Sequence, residues 1–209
     1  MELLTPRLRL RPWTDADRDG FAAMSLHPDI TRYLSSIANR ADADAWVDRQ
    51  MARQAEDGFC FWAVEERGSE TLVGSVGISR IRYEAHFTPA VELGWRIGRP
   101  YWGAGYAPEA AAESLRHGFA ALTVPELVAV TVPANTRSQR VMAKLGMTRD
   151  RDGDFDHPMM PDGHPLRHHV LHRITRDAWM AREAAGGTVG REQVAQPAPE
   201  VHNGSGARP

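Results

Sequence analysis

A pair of glycines at the entrance to a helix constrains the fold of this chain more than any other feature. The glycines lie in the stretch GRPYWGAGYAPEAAAESLRHGFA, residues 98–120. Because Gly103 and Gly105 carry no β-carbon, a ligand oxygen can closely approach the backbone N–H groups around them. Pro108 and Glu109 begin the helix, whose first N–H groups have no internal acceptor and whose dipole makes this end partly positive. The turn therefore predicts a phosphate or pyrophosphate site, with an ordinary strand-to-helix turn as the alternative.

Hydrophobic patterning predicts a single mixed α/β domain. Alternating residues in PRLRLRPW predict a first strand, and Arg67-Gly68-Ser69 joins two strand-like runs into an antiparallel hairpin. The predicted order is strand, helices, three antiparallel-type strands, helix, strand, helix, strand, which implies a mixed sheet with helices on both faces. These elements are assigned to the segments PRLRLRPW, TDADRDGFAAM, ADADAWVDRQMARQ, FCFWAVEE, TLVGSVGIS, AVELGWRIG, ELVAVTVP, TRSQRVMAKLGM and RHHVLHRITRDAW, in addition to the helix after the glycines.

Composition narrows the classes of function. The chain has 209 residues, 42% of them hydrophobic and 25% charged, which suits one soluble globular domain. Its formal net charge of −2 argues against a protein that binds nucleic acid through phosphates. Cys60 is the only cysteine, which excludes an intramolecular disulfide and a thiolate metal cluster and suits the cytoplasm. No signal peptide or membrane span is expected. The domain is predicted to cover residues 1–180, and residues 184–209 are predicted to form a disordered tail.

Two segments carry a family resemblance. VELGWRIGRPYWGAGYAPEA, residues 91–110, resembles the pyrophosphate arm of the GCN5-related N-acetyltransferases (GNAT), especially the subgroup similar to RimJ and RimL. ANTRSQRVMAKLGM, residues 134–147, looks like the second segment of that subgroup, at the family's spacing. The resemblance runs from PRLRLRPWTDAD to about Trp179. It implies a single-domain GNAT-like fold with a mostly antiparallel central sheet that splays at the cofactor site. The strands at 91–97 and 127–132 are expected to lie side by side and to part near Trp95 to Gly98.

The resemblance also implies acetyl-CoA as cosubstrate and assigns cofactor-binding residues. The family places Gln or Arg where this chain has Pro100, so backbone amides of the turn are expected to bind the pyrophosphate: Trp102, Gly103, Ala104, Gly105, Tyr106 and Ala107. Asn135 is expected to hydrogen-bond the pantetheine arm, and Ser138 to lie near the sulfur. A β-bulge is expected to free N–H groups for the thioester oxygen at Trp95, Arg96 and Ile97.

Acetyl transfer to an amine needs a base, because an ammonium group is not nucleophilic. Glu92, on the strand that leads into the glycine turn, is the predicted base, with a structural carboxylate as the alternative. Asp154 and Asp156 are the further candidates for the base. Ser138 is the predicted catalytic donor to the CoA thiolate, although serine also suits the first turn of a helix. Direct attack in a ternary complex is expected, because Cys60 lies outside both motifs.

Several alternatives stay open at this point. The acceptor is either a protein N-terminal amine or a small-molecule amine, and a homodimer is left open. Five histidines between 157 and 172 lack the spacing of metal ligands, so no metal is expected. The aromatic residues around the glycine turn are assigned to packing. A CoA-binding regulatory or interaction domain without catalysis is the alternative to an enzyme.

Overall fold

The computed structural model describes residues 1–34 and 37–187, so most of the predicted tail lies outside the described residues. The strands are β1 (Leu3–Leu4), β2 (Leu8–Arg11), β3 (Phe61–Glu66), β4 (Thr71–Arg80), β5 (Val91–Ile97), β6 (Glu126–Thr131), β7 (Thr148–Asp156) and β8 (His168–Thr175). The α-helices are α1 (Arg18–Ser25), α2 (Pro28–Thr31), α3 (Arg40–Asp57), α4 (Tyr106–Ala121), α5 (Thr136–Leu145) and α6 (Arg176–Ala184).

All eight strands form one open sheet in the order β1-β2-β3-β4-β5-β6-β8-β7. Every neighbouring pair is antiparallel except β5 and β6, which are parallel and are in register at Glu92 and Val128. The predicted mixed, mostly antiparallel fold is therefore confirmed. The strands part directly after this pair, earlier than the predicted point near Trp95. We call this opening between β5 and β6 the fork. Because the fork opens directly after Glu92, this residue lies at the base of the fork.

The patterning missed two strands. β1 has only two residues, and it pairs with β2 at the edge of the sheet. β7 has the sequence TRDRDGDFD, a polar segment for which no strand was predicted. It is the opposite edge strand, and most of its side chains are at least partly exposed, so no apolar alternation marks it. The last helix also continues to Ala184, beyond the predicted domain boundary at 180.

Local capping chemistry sets the bounds of two helices. The Asn39 side chain accepts a hydrogen bond from Asp42 N at the start of α3, and Gly58 ends that helix at φ +80°. Asn135 caps the start of α5, and Gly146 ends that helix at φ +82°. Glycine tolerates this left-handed conformation because it has no β-carbon.

Helices cover both faces of the sheet. Gly118 of α4 packs so closely on Ile78 and Leu127 that a β-carbon there would lie 3.1 and 3.2 Å from their side chains. On the other face, α1 and α3 stack Phe21 on Trp46 at 4.4 Å. Within residues 1–34 and 37–187, no helix is long and apolar enough to cross a membrane.

Candidate active site

The glycine turn presents a row of unused backbone N–H groups. Gly103 and Gly105 have φ values of +85° and +83°, which other residues adopt only with strain. In the described part of the chain, the N–H groups of residues 103–107 meet no acceptor, whereas that of Trp102 donates to Arg99 O at 3.3 Å. The first helical bond of α4 runs from Glu109 N to Gly105 O. Five of the six predicted amides are therefore free, and they lie at a helix N-terminus, where an anion is favoured.

An ion pair between Arg7, the residue before β2, and Glu109 of α4 supports this turn. Arg7 Nη1 donates to Ala104 O at 2.8 Å, and Arg7 Nε donates to Glu109 Oε2 at 2.7 Å. Glu109 is 3% exposed, and Thr5 donates a second bond to it at 2.6 Å. A buried carboxylate needs such partners. No local pattern predicts this contact, because Arg7 and Glu109 are about a hundred positions apart in the chain.

The turn and the fork together enclose a cleft of about 520 Å³. Five aromatic residues line it, and all but Tyr33 were expected to serve in packing: Tyr33, Trp95, Tyr101, Trp102 and Tyr106. Four exposed cationic residues also line it, which suits a ligand with several phosphates: Arg99, Arg137, Arg140 and Lys144. Arg137 lies 4.2 Å from the centre of the Trp102 ring, and the Trp102 indole N–H donates to Ile97 O at 2.7 Å.

Strand β5 presents free N–H groups without a bulge. Its register with β4 runs unbroken from Val91 to Ile97, so the expected bulge is absent. Gly98 N donates to Val73 O at 2.9 Å, and the antiparallel alternation therefore directs the Arg96 N–H toward β4 and those of Trp95 and Ile97 toward the fork. The parting of β5 and β6, not a bulge, leaves these two N–H groups free. The Arg96 side chain lies on the face of the sheet that carries α1 and α3, where its Nη1 donates to Ser25 Oγ at 3.1 Å.

Asn135 and Ser138 meet at the start of α5. The Asn135 side chain accepts from Ser138 N at 3.2 Å and donates to Thr131 Oγ1 at 3.1 Å, so it serves as the helix N-cap. Ser138 Oγ accepts bonds from Asn135 Nδ2 at 3.0 Å and from Trp95 Nε1 at 3.3 Å. Both lone pairs of the hydroxyl are thus used, and its own hydrogen is free to donate into the cleft.

Glu92 lies at the base of the fork, and its side chain points to the face that carries α3. It is partly exposed, and no described residue donates a hydrogen bond to it. Its register partner Ser79 accepts a bond from Arg53 Nη1 at 2.9 Å. Burial raises the pKa of Glu92 from 4.5 to about 7, and the charge of Arg53 partly opposes this rise. A carboxyl with a pKa near neutrality can accept a proton at physiological pH.

Comparisons with known proteins agree with this geometry. A model of the acetyltransferase (GNAT) domain matches residues 7–148. The chain belongs to the GNAT acetyltransferase family. A relative, YkkB of Bacillus subtilis (strain 168), is 30% identical over 147 residues, 70% of this chain and 84% of YkkB.

Solved structures of the GNAT family share the fold. A GNAT-family acetyltransferase from Bacillus anthracis is 25% identical, with a TM-score of 0.68 over 85% of this chain and 99% of that one. RimJ of Mycobacterium smegmatis, solved in complex with CoA-disulfide, is 22% identical, with a TM-score of 0.68 over 89% of this chain and 93% of RimJ. The predicted family is confirmed, and the chain is an acyltransferase that uses acetyl-CoA.

Asp154 and Asp156, the two further candidates for the base in this GNAT domain, point away from the face of Glu92. Phe155 pairs with His169 on the face of Glu92, so its neighbours Asp154 and Asp156 point to the opposite face of β7. Arg149 binds Asp154, and Arg167 binds Asp156. Both carboxylates are therefore engaged by arginines and lie on the face opposite Glu92. The geometry therefore favours Glu92 over both alternatives.

The single cysteine is not an available nucleophile. Cys60 is 0% exposed, and burial raises the pKa of its thiol to about 12. The thiolate, not the thiol, attacks a thioester. An acetylated cysteine is therefore disfavoured in this protein.

Proposed function

We propose that this protein transfers the acetyl group of acetyl-CoA directly to a primary amine in a ternary complex, with Glu92 as the general base. The acceptor is a protein N-terminal amine or a small-molecule amine. One observation carries the proposal: Glu92, which has no ion pair with any residue that the structure describes and whose pKa is raised to about 7, lies at the base of the fork. Family membership supports the source of the acetyl group.

The residues of the cleft fit acetyl-CoA. The free amides of residues 103–107 would bind the pyrophosphate, and cationic side chains at the rim would balance its charge. The aromatic walls and the side chains at the start of α5 would position the pantetheine arm. When bound, acetyl-CoA supplies an activated thioester carbon.

Three groups of this chain then divide the chemistry. Glu92 takes a proton from the ammonium group of the acceptor, so that its nitrogen can attack the thioester carbon. The N–H groups of Trp95 and Ile97 stabilise the negative charge that develops on the thioester oxygen. As the carbon–sulfur bond breaks, Ser138 donates its hydrogen to the departing sulfur and takes up the second proton that the attacking nitrogen loses, while Glu92 releases the first proton to solvent. The products are an N-acetylated amine and CoA.

The experiment is a free-thiol assay with acetyl-CoA and a broad panel of amines. Glu92→Gln is expected to lower kcat/KM by about 10²–10⁴-fold while leaving CoA binding unchanged by calorimetry. The loss should be largest at and below about pH 7, and it should shrink at higher pH because more acceptor is then free amine. Glu70→Gln removes the same charge from the exposed β3–β4 turn, and it serves as the matched control.

Two outcomes would contradict the proposal. Full activity of Glu92→Gln at every pH would exclude Glu92 as the base. Binding of CoA by the wild-type protein without acetyl transfer to any amine of the panel would favour a CoA-binding regulatory domain.

A further inference from the structure

Four rings pack together on the face of the sheet to which Glu92 points, and we call them the ring cluster: Tyr83, Phe155, His157 and His169. The ring centres of Tyr83 and His157 are 4.4 Å apart, and those of His157 and His169 are 5.0 Å apart. Phe155 lies 5.8 Å from His169 and 6.3 Å from Tyr83. All four side chains are partly exposed, so their ring faces and edges are accessible to a ligand.

Strand register places this cluster on the face of Glu92. Glu92 is in register with Val128, and Val128 pairs with Arg173, so Arg173 points to that face. His169 is four residues from Arg173 on β8 and shares its face, as does its partner Phe155.

Tyr83 extends the cluster over the base of the fork. Its segment, residues 81–90, follows β4, whereas Phe155 and His169 lie on β7 and β8, so this segment crosses the face of β5 and β6. Burial and the charge of Glu92 both raise the pKa of Tyr83, which places the phenol within electrostatic reach of that carboxylate. The Tyr83 hydroxyl is buried and has no hydrogen-bond partner in the described part of the chain.

The two imidazoles of the cluster are neutral near pH 7. Burial and the neighbouring His169 lower the pKa of His157 to about 4, and burial lowers that of His169. His169 Nδ1 lies 3.0 Å from Arg167 O, which only accepts, so Nδ1 holds the hydrogen and Nε2 has a free lone pair. His157 Nδ1 accepts from Met159 N at 3.2 Å, so its hydrogen is on Nε2.

The charge around the cluster favours a cation with no acidic group. Asp154 and Asp156 are paired with arginines on the far face, and Arg167 is paired with Asp156 and Asp162. The charged groups on the face of Glu92 are its own carboxylate, Arg53, whose Nη1 donates to Ser79, and Arg173, which is paired with Asp150 and Glu126. The rings beside them are neutral. An ammonium group is attracted to ring faces and carboxylates, whereas a second carboxylate would be repelled by Glu92.

This inference rests on the function proposed above. We propose that the ring cluster is the acceptor-binding wall and that it selects a primary amine on an uncharged aromatic or apolar carrier. The carrier packs on the rings, and the ammonium group donates to Glu92, which lies within electrostatic reach of Tyr83. Loss of the ammonium proton to Glu92 then frees the nitrogen for attack.

The first test compares acceptors that differ in one group. Phenethylamine, phenylalaninamide and phenylalanine share the ring and the amine, and only phenylalanine carries a carboxylate. We expect kcat/KM for phenethylamine and phenylalaninamide to exceed that for phenylalanine by about tenfold or more. Equal or better use of phenylalanine would overturn the proposal.

The second test removes the wall. Phe155→Leu and His169→Asn should each raise the KM for phenethylamine by about tenfold while leaving the KM for acetyl-CoA unchanged. His168→Asn is the matched control, because His168 is the adjacent residue on the opposite face, where it contacts Asp156. Melting temperatures verify folding. Amine KM values that are unchanged in both wall variants, while Glu92→Gln is inactive, would overturn this inference alone. Acetylation of no amine by the wild-type protein would overturn the proposed function as well.

Discussion

Replacing Glu92 by glutamine is expected to stabilise the folded protein at neutral pH although it removes most of the activity. The carboxyl has a pKa of about 7 in the folded protein, compared with its ordinary value of 4.5. Each pKa unit corresponds to about 1.4 kcal/mol, so ionised Glu92 destabilises the fold by about 3 kcal/mol. Glutamine has the same shape and is never charged.

The pH dependence of this effect has a definite sign. Because the folded pKa is the higher one, the folded state holds the proton more tightly than the unfolded chain does. Below about pH 4.5 the carboxyl is neutral in both states, and its stabilising contribution is complete. As the pH rises from about 4.5 to about 7, the unfolded chain ionises first and the wild-type protein loses stability. Above about pH 7 that loss is complete.

Urea unfolding of the wild type, Glu92→Gln and Glu70→Gln at about pH 5 and about pH 8 measures this term. Between these two pH values, the free energy of unfolding of Glu92→Gln should gain about 2–3 kcal/mol relative to the wild type. Glu70→Gln, which alters an exposed side chain, should gain nothing comparable. A difference between Glu92→Gln and the wild type that is equal at both pH values would refute the raised pKa and the electrostatic basis of the proposed base.

Three further predictions concern the cofactor cleft and the mechanism. Replacing Gly103 and Gly105 with valine should abolish CoA binding in calorimetry. Gly68→Val is the control, because Gly68 has φ +94° in open space, so valine imposes similar strain there and should leave CoA binding intact. Tight CoA binding by a folded double variant would contradict the phosphate site. Cys60→Ala should keep its turnover, and mass spectrometry should find no acetyl-enzyme; an accumulating acetyl-enzyme would contradict direct attack. Ser138→Ala should lower kcat less than Glu92→Gln does, because water can protonate the thiolate; an unchanged kcat would remove Ser138 from the chemistry. The variant should also lower stability by about 1 kcal/mol, because the partly buried Trp95 Nε1 loses its acceptor while Asn135 Nδ2 keeps its bond to Thr131 Oγ1.

The local chemistry of the chain was sufficient for the elements around the site. The glycines at 103 and 105, the helix after them and the stop at Gly146 all follow from conformational preferences of single residues and their neighbours. The order of strands and helices predicted the fold class. Strand β7 was missed because an exposed edge strand needs no apolar alternation.

The arrangement of the site depended on contacts between distant segments. Sequence reasoning placed Glu92 on a strand, but the side to which it points and its raised pKa follow from its pairing with Ser79 and from burial near Arg53. The ring cluster likewise brings Tyr83 to Phe155, His157 and His169 across two intervening strands, β5 and β6.

The sequence by itself therefore determined the fold class, the conformation of the glycine turn and the family, because backbone conformation and motif spacing are properties of short segments. Only the tertiary structure decided where β5 and β6 part, which N–H groups of the described residues are free and which carboxyl has a raised pKa. Those properties depend on strand register and on the exclusion of water. Both arise when segments far apart in the chain pack together.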